Sequence, residues 1–358
     1  MTNTTTTAPL SLSVLDLIPV RAGQSSADAL TASIELARRA DELGYRRYWV
    51  AEHHNMPSVA STNPPVLIGI LAGATQRIRV GAGGVMLPNH APLVIAEQFG
   101  ILEAAFPGRI DLGIGRAPGS DPVITALLRA SGAVSDVDAF PQNIADIRAL
   151  LSPDGAVLGL RDGQRYELSA TPAARSVPEL WLLGSSGYSA NLAAREGMRY
   201  VFANHFSGDS TTEALEHYRR GFTASEAVPK PLTFLTLNVS VADTADEARA
   251  LALPQMQQMA RLRTGAPLSR LPSVEQAAAT TPTSAQDQLI QRMSASWIID
   301  APTGAAQRIR ELAAQFGVDE VMVHLVASAH ENAPTASSPA RVRAVELLAA
   351  ELLNDPRE

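Results

Sequence analysis

Strand-like and helix-like stretches alternate along almost the whole chain, and that alternation limits the fold more than any other feature. Leu10–Leu17 ("LSLSVLDL") is predicted as a first strand. Ser25 and Asp28 then form a capping-box pattern, Leu30, Ile34, Ala37, Ala40 and Leu43 recur at helical spacing, and Gly44 closes the helix. "YRRYWVAE" (Tyr45–Glu52), "IRVGAGGVML" (Ile78–Leu87) and "RIDLGIG" (Arg109–Gly115) are the next three predicted strands. Helices lie between them at Pro64–Gln76, opened by prolines that a first helical turn tolerates, and at Pro92–Ala105. Further strands are predicted at Glu179–Gly184, Arg199–Ala203, Leu232–Ala242 and Glu320–Val326. Helices accompany them near Ser186–Glu196, Ser210–Ala224, Ala245–Arg263, Thr303–Phe316 and Ser338–Leu353.

Strand, helix, strand, helix means parallel strands joined by crossover helices. Eight such strands in 358 residues predict an α/β fold, a (β/α)8 TIM barrel with insertions forming one domain over residues 1–358; an open doubly wound sheet is the rival. Two stretches interrupt the repeat. Asp121–Ser169 is predicted as helical turns plus a small hairpin around "RDGQRY", and Thr264–Ala285, rich in Pro, Thr, Ala and Ser, as a mobile insertion loop. "MTNTTTTAP" has no basic start and no apolar run, so residues 1–9 are expected to be a flexible tail and not a signal peptide. No apolar stretch is long enough to cross a bilayer. The absence of cysteine excludes disulfides, thiolate catalysis and thiolate-bound metal centres, and agrees with a cytoplasmic location. A net charge of −7 without any Lys/Arg-rich run argues against nucleic acid or an anionic membrane as partner.

In a barrel the chemistry sits at the C-terminal rim, and the unusual residues fall there. After the fifth strand, "GSSGYSA" (Gly184–Ala190) offers a glycine, then serines opening a helix. Helix-start N–H groups, the helix dipole and the hydroxyls of Ser185, Ser186 and Ser189 suit a phosphate, although one N-capping serine would have a plainer explanation. "GIGRAPG" (Gly113–Gly119) is a poor dinucleotide fingerprint, since its spacing is G-x-G-x-x-x-G and Pro118 occupies the turn. Arg116 can pair with a phosphate there, or form a structural ion pair, for instance with Asp121. Gly81, Gly83 and Gly84 suggest close approach of a flat ligand or a β-bulge. "VAEHHN" (Val50–Asn55) places two histidines side by side. Neighbours on a strand face opposite ways, so His53 and His54 are not expected to share a metal, and only one is expected to face the mouth.

Taken in series, "AEHHN", "RIRVGAGGVMLPNHAPLVIAEQF" and "PGRIDLGIGRAPGSD" strongly resemble the bacterial-luciferase-like flavin-dependent monooxygenases. The resemblance is dense from Leu12 to Pro122, recurs over Leu180–Gly197 and is weak from Ala227 to Ser296. It implies a barrel that binds reduced FMN at its rim. It assigns His53 as the histidine beside the reacting part of the flavin, Gly83 and Gly84 as the pair whose unusual peptide bond lies against the ring, and Arg116 as the phosphate arginine. It assigns Ser185, Ser186, Tyr188 and Ser189 to the phosphate loop, and Glu52, Ala82 and Gly184, within the same motifs, to the cofactor site. No metal is implied.

The implied activity is that of an FMNH2-dependent monooxygenase supplied by a separate flavin reductase, oxidising a small organic substrate through a flavin peroxide, with a homodimer expected. Deazaflavin F420 or NAD(P)H-driven hydride transfer on the same barrel is one alternative, and a flavin-binding protein without turnover is another. Two residues depart from the pattern. Gly115 stands where light-emitting members have cysteine, so light emission with a long-chain aldehyde is not supported, and Asp300 stands where relatives often have glycine.

Overall fold

Backbone hydrogen bonds join the strands in the order the alternation requires, and they close the sheet on itself. The computed structural model describes residues 10–353 except 118, 120, 131–136, 207 and 209; the tail predicted at 1–9 and Pro118 of the fourth-strand loop lie outside the described residues. The barrel strands are Ser11–Asp16, Arg47–Val50, Arg79–Ala82, Ile110–Gly115, Glu179–Gly184, Arg199–Phe202, Thr233–Val241 and Glu320–Leu325. Each runs parallel to the next, and the eighth returns to pair with the first, Glu320 opposite Ser11 and His324 opposite Leu15. An open doubly wound sheet would keep two free edges. This sheet keeps none along those eight strands, so the fold is a (β/α)8 TIM barrel.

Alternation along each strand divides the side chains into an outer set, packed under the helices, and an inner set stacked in layers. The lowest inner layer is charged. Arg47, with a side chain 1% exposed, bonds Asp111 (2.7 Å), Glu320 (2.8 Å) and Glu179 (3.1 Å). Arg79 reaches Asp111 at 2.6 Å and Arg199 reaches Glu179 at 3.7 Å. Burial alone would weaken protonation of Arg47, but the three carboxylates outweigh it and raise its pKa. Above lies an apolar layer of Leu15, Trp49, Trp181, Val201, Phe234 and Met322. Its three aromatic rings meet edge-on or tilted, with centroids 5.0 to 5.7 Å apart. The layers below the mouth are thus filled, and the rim alone is left for a ligand.

The Asp121–Ser169 interruption contains helices Pro122–Arg129 and Phe140–Leu151 and an antiparallel hairpin, Ala156–Gly159 with Arg165–Leu168, as predicted. Three departures need a physical reason. The predicted third strand Ile78–Leu87 breaks at Gly83–Gly84, after which Val85 and Met86 pair with Ile114 and Gly115 of the fourth strand. Within the predicted loop Thr264–Ala285, Ser273 and Gln276 form a capping box that opens a short helix, Val274–Ala278. The S-x-x-Q pattern for it is present in the sequence, hidden by the surrounding prolines and threonines. Helix Ser284–Ser296 and strand Ile298–Asp300 are unpredicted. The strand is three residues long, too short for a period of two to register, and pairs with the seventh strand. Among the described residues, no helix is long and apolar enough to cross a membrane.

Candidate active site

The second strand ends at Val50 and not at Glu52, so the tandem histidines lie on the loop beyond it, where they part company. His54 turns back to Glu52, two residues before it, with Nε2 2.9 Å from Oε1. The same Oε1 meets His90 Nε2 at 2.8 Å, and Oε2 accepts the Met86 N–H at 2.9 Å. Burial of Glu52 works against its charge, but the His54 and His90 rings and the Met86 amide hold its carboxyl at about 2. Glu52 is 0% exposed and is saturated by protein groups. Its role in this geometry is to tie the end of the second strand to the Met86–His90 segment. The His54 N–H bonds the Gly119 carbonyl (3.1 Å), which extends the tie to the loop bearing Arg116.

His53 takes the other side. Its backbone N–H donates to Ser61 O at 3.0 Å, while its side-chain Nδ1 is buried with no partner among the described residues. Burial pushes its pKa below the ordinary histidine value; Glu52 opposes this and His54 adds to it. It is therefore a neutral imidazole with an unused nitrogen. It interacts electrostatically with His205 and His324, which burial pushes to about 4 and about 3. His205, His324 and His90 went unassigned in the sequence. Counting by twos from Met322 would have placed His324 at the mouth, since Met322 lies in the lumen layer.

The Gly83–Gly84 peptide bond is cis. Packing within the barrel itself requires Gly84 and leaves little room for a side chain at Gly83. A Cβ on Gly83 would come within 3.0 Å of Leu15 Cδ1 and 3.1 Å of Trp49 Cε3, and one on Gly84 within 2.8 Å of the Gly113 carbonyl oxygen. A valine at position 83 would therefore disturb the lumen core before it met any ligand. The Ala82 side chain belongs to the outer core, so only its backbone can face the mouth.

On the phosphate side, Arg116 and the loop after the fifth strand do come together. The Arg116 guanidinium carbon sits 4.0 Å from the centre of the Tyr188 ring. Among the described residues it forms no ion pair, and Asp121, the structural alternative, instead caps its own helix through the Val123 and Ile124 amides. Ser185 and Ser186 are exposed. Ser186 precedes helix Gly187–Arg195, and its hydroxyl makes no capping bond, so the plainer N-cap explanation does not hold. Ser189 is different: it is buried against Gly184, where a Cβ on the glycine would strike it.

Among the described residues, a cation without a counter-ion, two hydroxyls without a partner at a helix start and a buried imidazole nitrogen without a partner together suit one phosphorylated, partly flat ligand. Among the described residues, no group of three His, Asp or Glu side chains is arranged to hold a metal ion.

Comparison with known proteins gives the family. A family model described as luciferase-like monooxygenase matches residues 10–320. A luciferase-like monooxygenase of Escherichia coli (strain K12) is 39% identical over 315 residues, 88% of this chain and 91% of its own. The N-acetyl-S-alkylcysteine monooxygenase of Bacillus subtilis (strain 168) is 40% identical over 214 residues, 60% of this chain and 62% of its own. The crystal structure of apo-MsnO8 superimposes with a TM-score of 0.84 at 33% identity, covering 97% of this chain and 100% of that one. The chain belongs to the luciferase-like monooxygenase family and is a flavin-dependent monooxygenase.

Proposed function

We propose that the protein is the oxygenase of a two-component system: it receives reduced FMN from a separate flavin reductase in the cytoplasm and uses dioxygen to oxidise a small organic substrate. The observation that carries this reading is the meeting of Arg116 with Tyr188 beside the free Ser185 and Ser186 hydroxyls. Arg116 and the two serines would hold the phosphate, and the Tyr188 ring keeps the guanidinium in place between the two loops. The filled lumen layers exclude water from below. Reduced flavin, when bound, supplies the electrons that activate dioxygen. His53, neutral and with an unpaired nitrogen, would hold a hydrogen bond or a proton beside the reacting group.

The test is a reductase-coupled assay under isotope-labelled dioxygen with long-chain aldehydes, N-acetyl-S-alkylcysteines and secondary amides. Label is expected in the product of one class, and only when FMN and reductase are both present. A parallel titration should show tight FMN and weak F420 binding. Tight F420 and weak FMN would replace the oxygenase with a hydride-transfer enzyme. FMN binding with no labelled product and no extra oxygen uptake would leave a flavin carrier.

A homodimer is part of the same proposal. The neighbouring helices Pro64–Ala74 and Pro92–Ala105 expose Val66 and Ile70, one helical turn apart, and Leu93, Val94 and Ile101, with Val94 and Ile101 two turns apart. That much contiguous apolar surface fits an interface. Light scattering should give twice 37.9 kDa for the parent and 37.9 kDa for a Val66→Glu/Ile70→Glu variant. A monomeric parent would end that part of the proposal.

A further inference from the structure

The lumen wall across from the strand-three glycines is made by the last three barrel strands, and its polar groups are uncharged. Thr236 and Asn238 follow Phe234 at intervals of two, and His324 follows Met322 in the same way, so all three lie one or two steps above the apolar lumen layer. His205 completes the wall after the sixth strand. A chain of hydrogen bonds fixes the group. Asn204 Nδ2 donates to the Thr236 carbonyl (2.9 Å), and the Thr236 hydroxyl meets His205 Nδ1 at 3.0 Å. Asn238 Nδ2 donates to the His205 carbonyl (2.6 Å), and its Oδ1 meets His324 Nδ1 at 2.7 Å.

The last two bonds determine a tautomer. A backbone carbonyl only accepts, so the amide nitrogen of Asn238 must face His205 and its oxygen must face His324. An amide oxygen also only accepts, so the proton of His324 sits on Nδ1. Burial, reinforced by His205, pushes the pKa of His324 to about 3, which leaves the ring neutral at physiological pH. Its Nε2 is then a bare lone pair, and among the described residues no hydrogen bond reaches it. A small cavity of about 20 Å³, room for one small group at the end of a ligand, opens beside the ring, walled by Leu17, Pro19, Val59, Leu271 and Val326, with Ser58 and Gln255 as further hydrogen-bonding groups. Asp16 also borders it, but is ion-paired with Arg341 at 2.5 Å.

We propose that His324, held as its Nδ1–H tautomer by Asn238, accepts through Nε2 a hydrogen bond from an N–H or O–H group of the substrate, whose buried part is uncharged. A wall of Thr, Asn and neutral His has no charge with which to compensate a buried ion, so an ionic group would be rejected there. The proposal rests on the oxygenase reading above for the presence of a substrate at this mouth; the tautomer does not.

The experiment uses FMN-loaded protein carrying 15N-histidine. It is titrated with N-butylacetamide and, separately, with N-butyl-N-methylacetamide, which lacks the N–H. Long-range proton–nitrogen spectra should show His324 protonated on Nδ1, and its Nε2 resonance should move with the secondary amide alone. Affinity is then followed on the His205 resonances in two variants. His324→Gln can place an oxygen where Nε2 was and should hold the affinity within about threefold, whereas His324→Asn replaces only Nδ1 and should lose about tenfold, the factor of one neutral hydrogen bond. An Nε2–H tautomer, an equal response to both amides, or no response to either overturns the proposal. Spectra without FMN separate the two readings: if the tautomer and the secondary-amide response persist in a protein that fails to bind FMN, the flavin reading alone falls.

Discussion

Replacing Arg47 with methionine is expected to destabilise the barrel by about 3–5 kcal/mol, the usual loss when one partner of a buried ion pair is removed. Asp111 is 0% exposed at its side chain and Glu320 7%, so neither carboxylate can be rehydrated when the guanidinium goes. Arg79 still reaches Asp111 and Arg46 still reaches Glu320 (3.4 Å), which limits the loss to this range. Trp49 Nε1 and Ser13 Oγ go on donating to Asp111 and Glu320 respectively, which limits the loss further. The urea midpoint of Arg47→Met should fall sharply, and adding Glu320→Gln should recover part of the difference, because the second change removes an uncompensated charge. A midpoint equal to the parent's would mean that the charged floor contributes nothing to stability.

His53→Ala should keep FMN affinity, because the phosphate contacts lie on other loops, but lose control of the oxygen reaction. After mixing the reduced holoenzyme with oxygen, oxidised flavin should reappear about 10²-fold faster or more, the scale of a lost acid–base group. His54→Ala should act differently. It removes one of two histidines that share Glu52 Oε1, and so chiefly lowers stability. A chelator should change neither rate. Stopped-flow traces that coincide for parent and His53→Ala would remove His53 from the chemistry.

The barrel is legible in the sequence because strand and helix periods differ and glycine or proline separates them. "YRRYWVAE" is a short run rich in aromatic and β-branched residues, the stretch from Leu30 to Leu43 repeats every three or four residues, and Gly44 stands between them. The charged floor is visible in hindsight as a charge at or near the start of many strands: Arg47, Arg79, Asp111, Glu179, Arg199 and Glu320. No local rule says that these six converge, because convergence is a property of closure. The site was legible where a motif carries its own geometry, as in the Arg116 and Ser185–Ser186 loops. It was obscure where the same residue type serves two ends. Ser186 and Ser189 look alike in "GSSGYSA", yet one is free and the other packs on Gly184. Gly83 is explained as well by a flat ligand above as by Trp49 below, and only coordinates reveal the second contact. His324 was overlooked because a lone histidine in "EVMVHL" is an ordinary strand residue until its Asn238 partner, on another strand, is known.

Paired titrations of FMN and riboflavin against the parent and Arg116→Ala measure whether this barrel mouth holds FMN by its phosphate through Arg116. The two ligands share the ring and differ in the phosphate. Arg116→Ala should weaken FMN by about 1–3 kcal/mol, the range for a hydrogen bond to a charged group, and leave riboflavin almost unchanged. Equal losses for both ligands, or no loss for FMN, would contradict it.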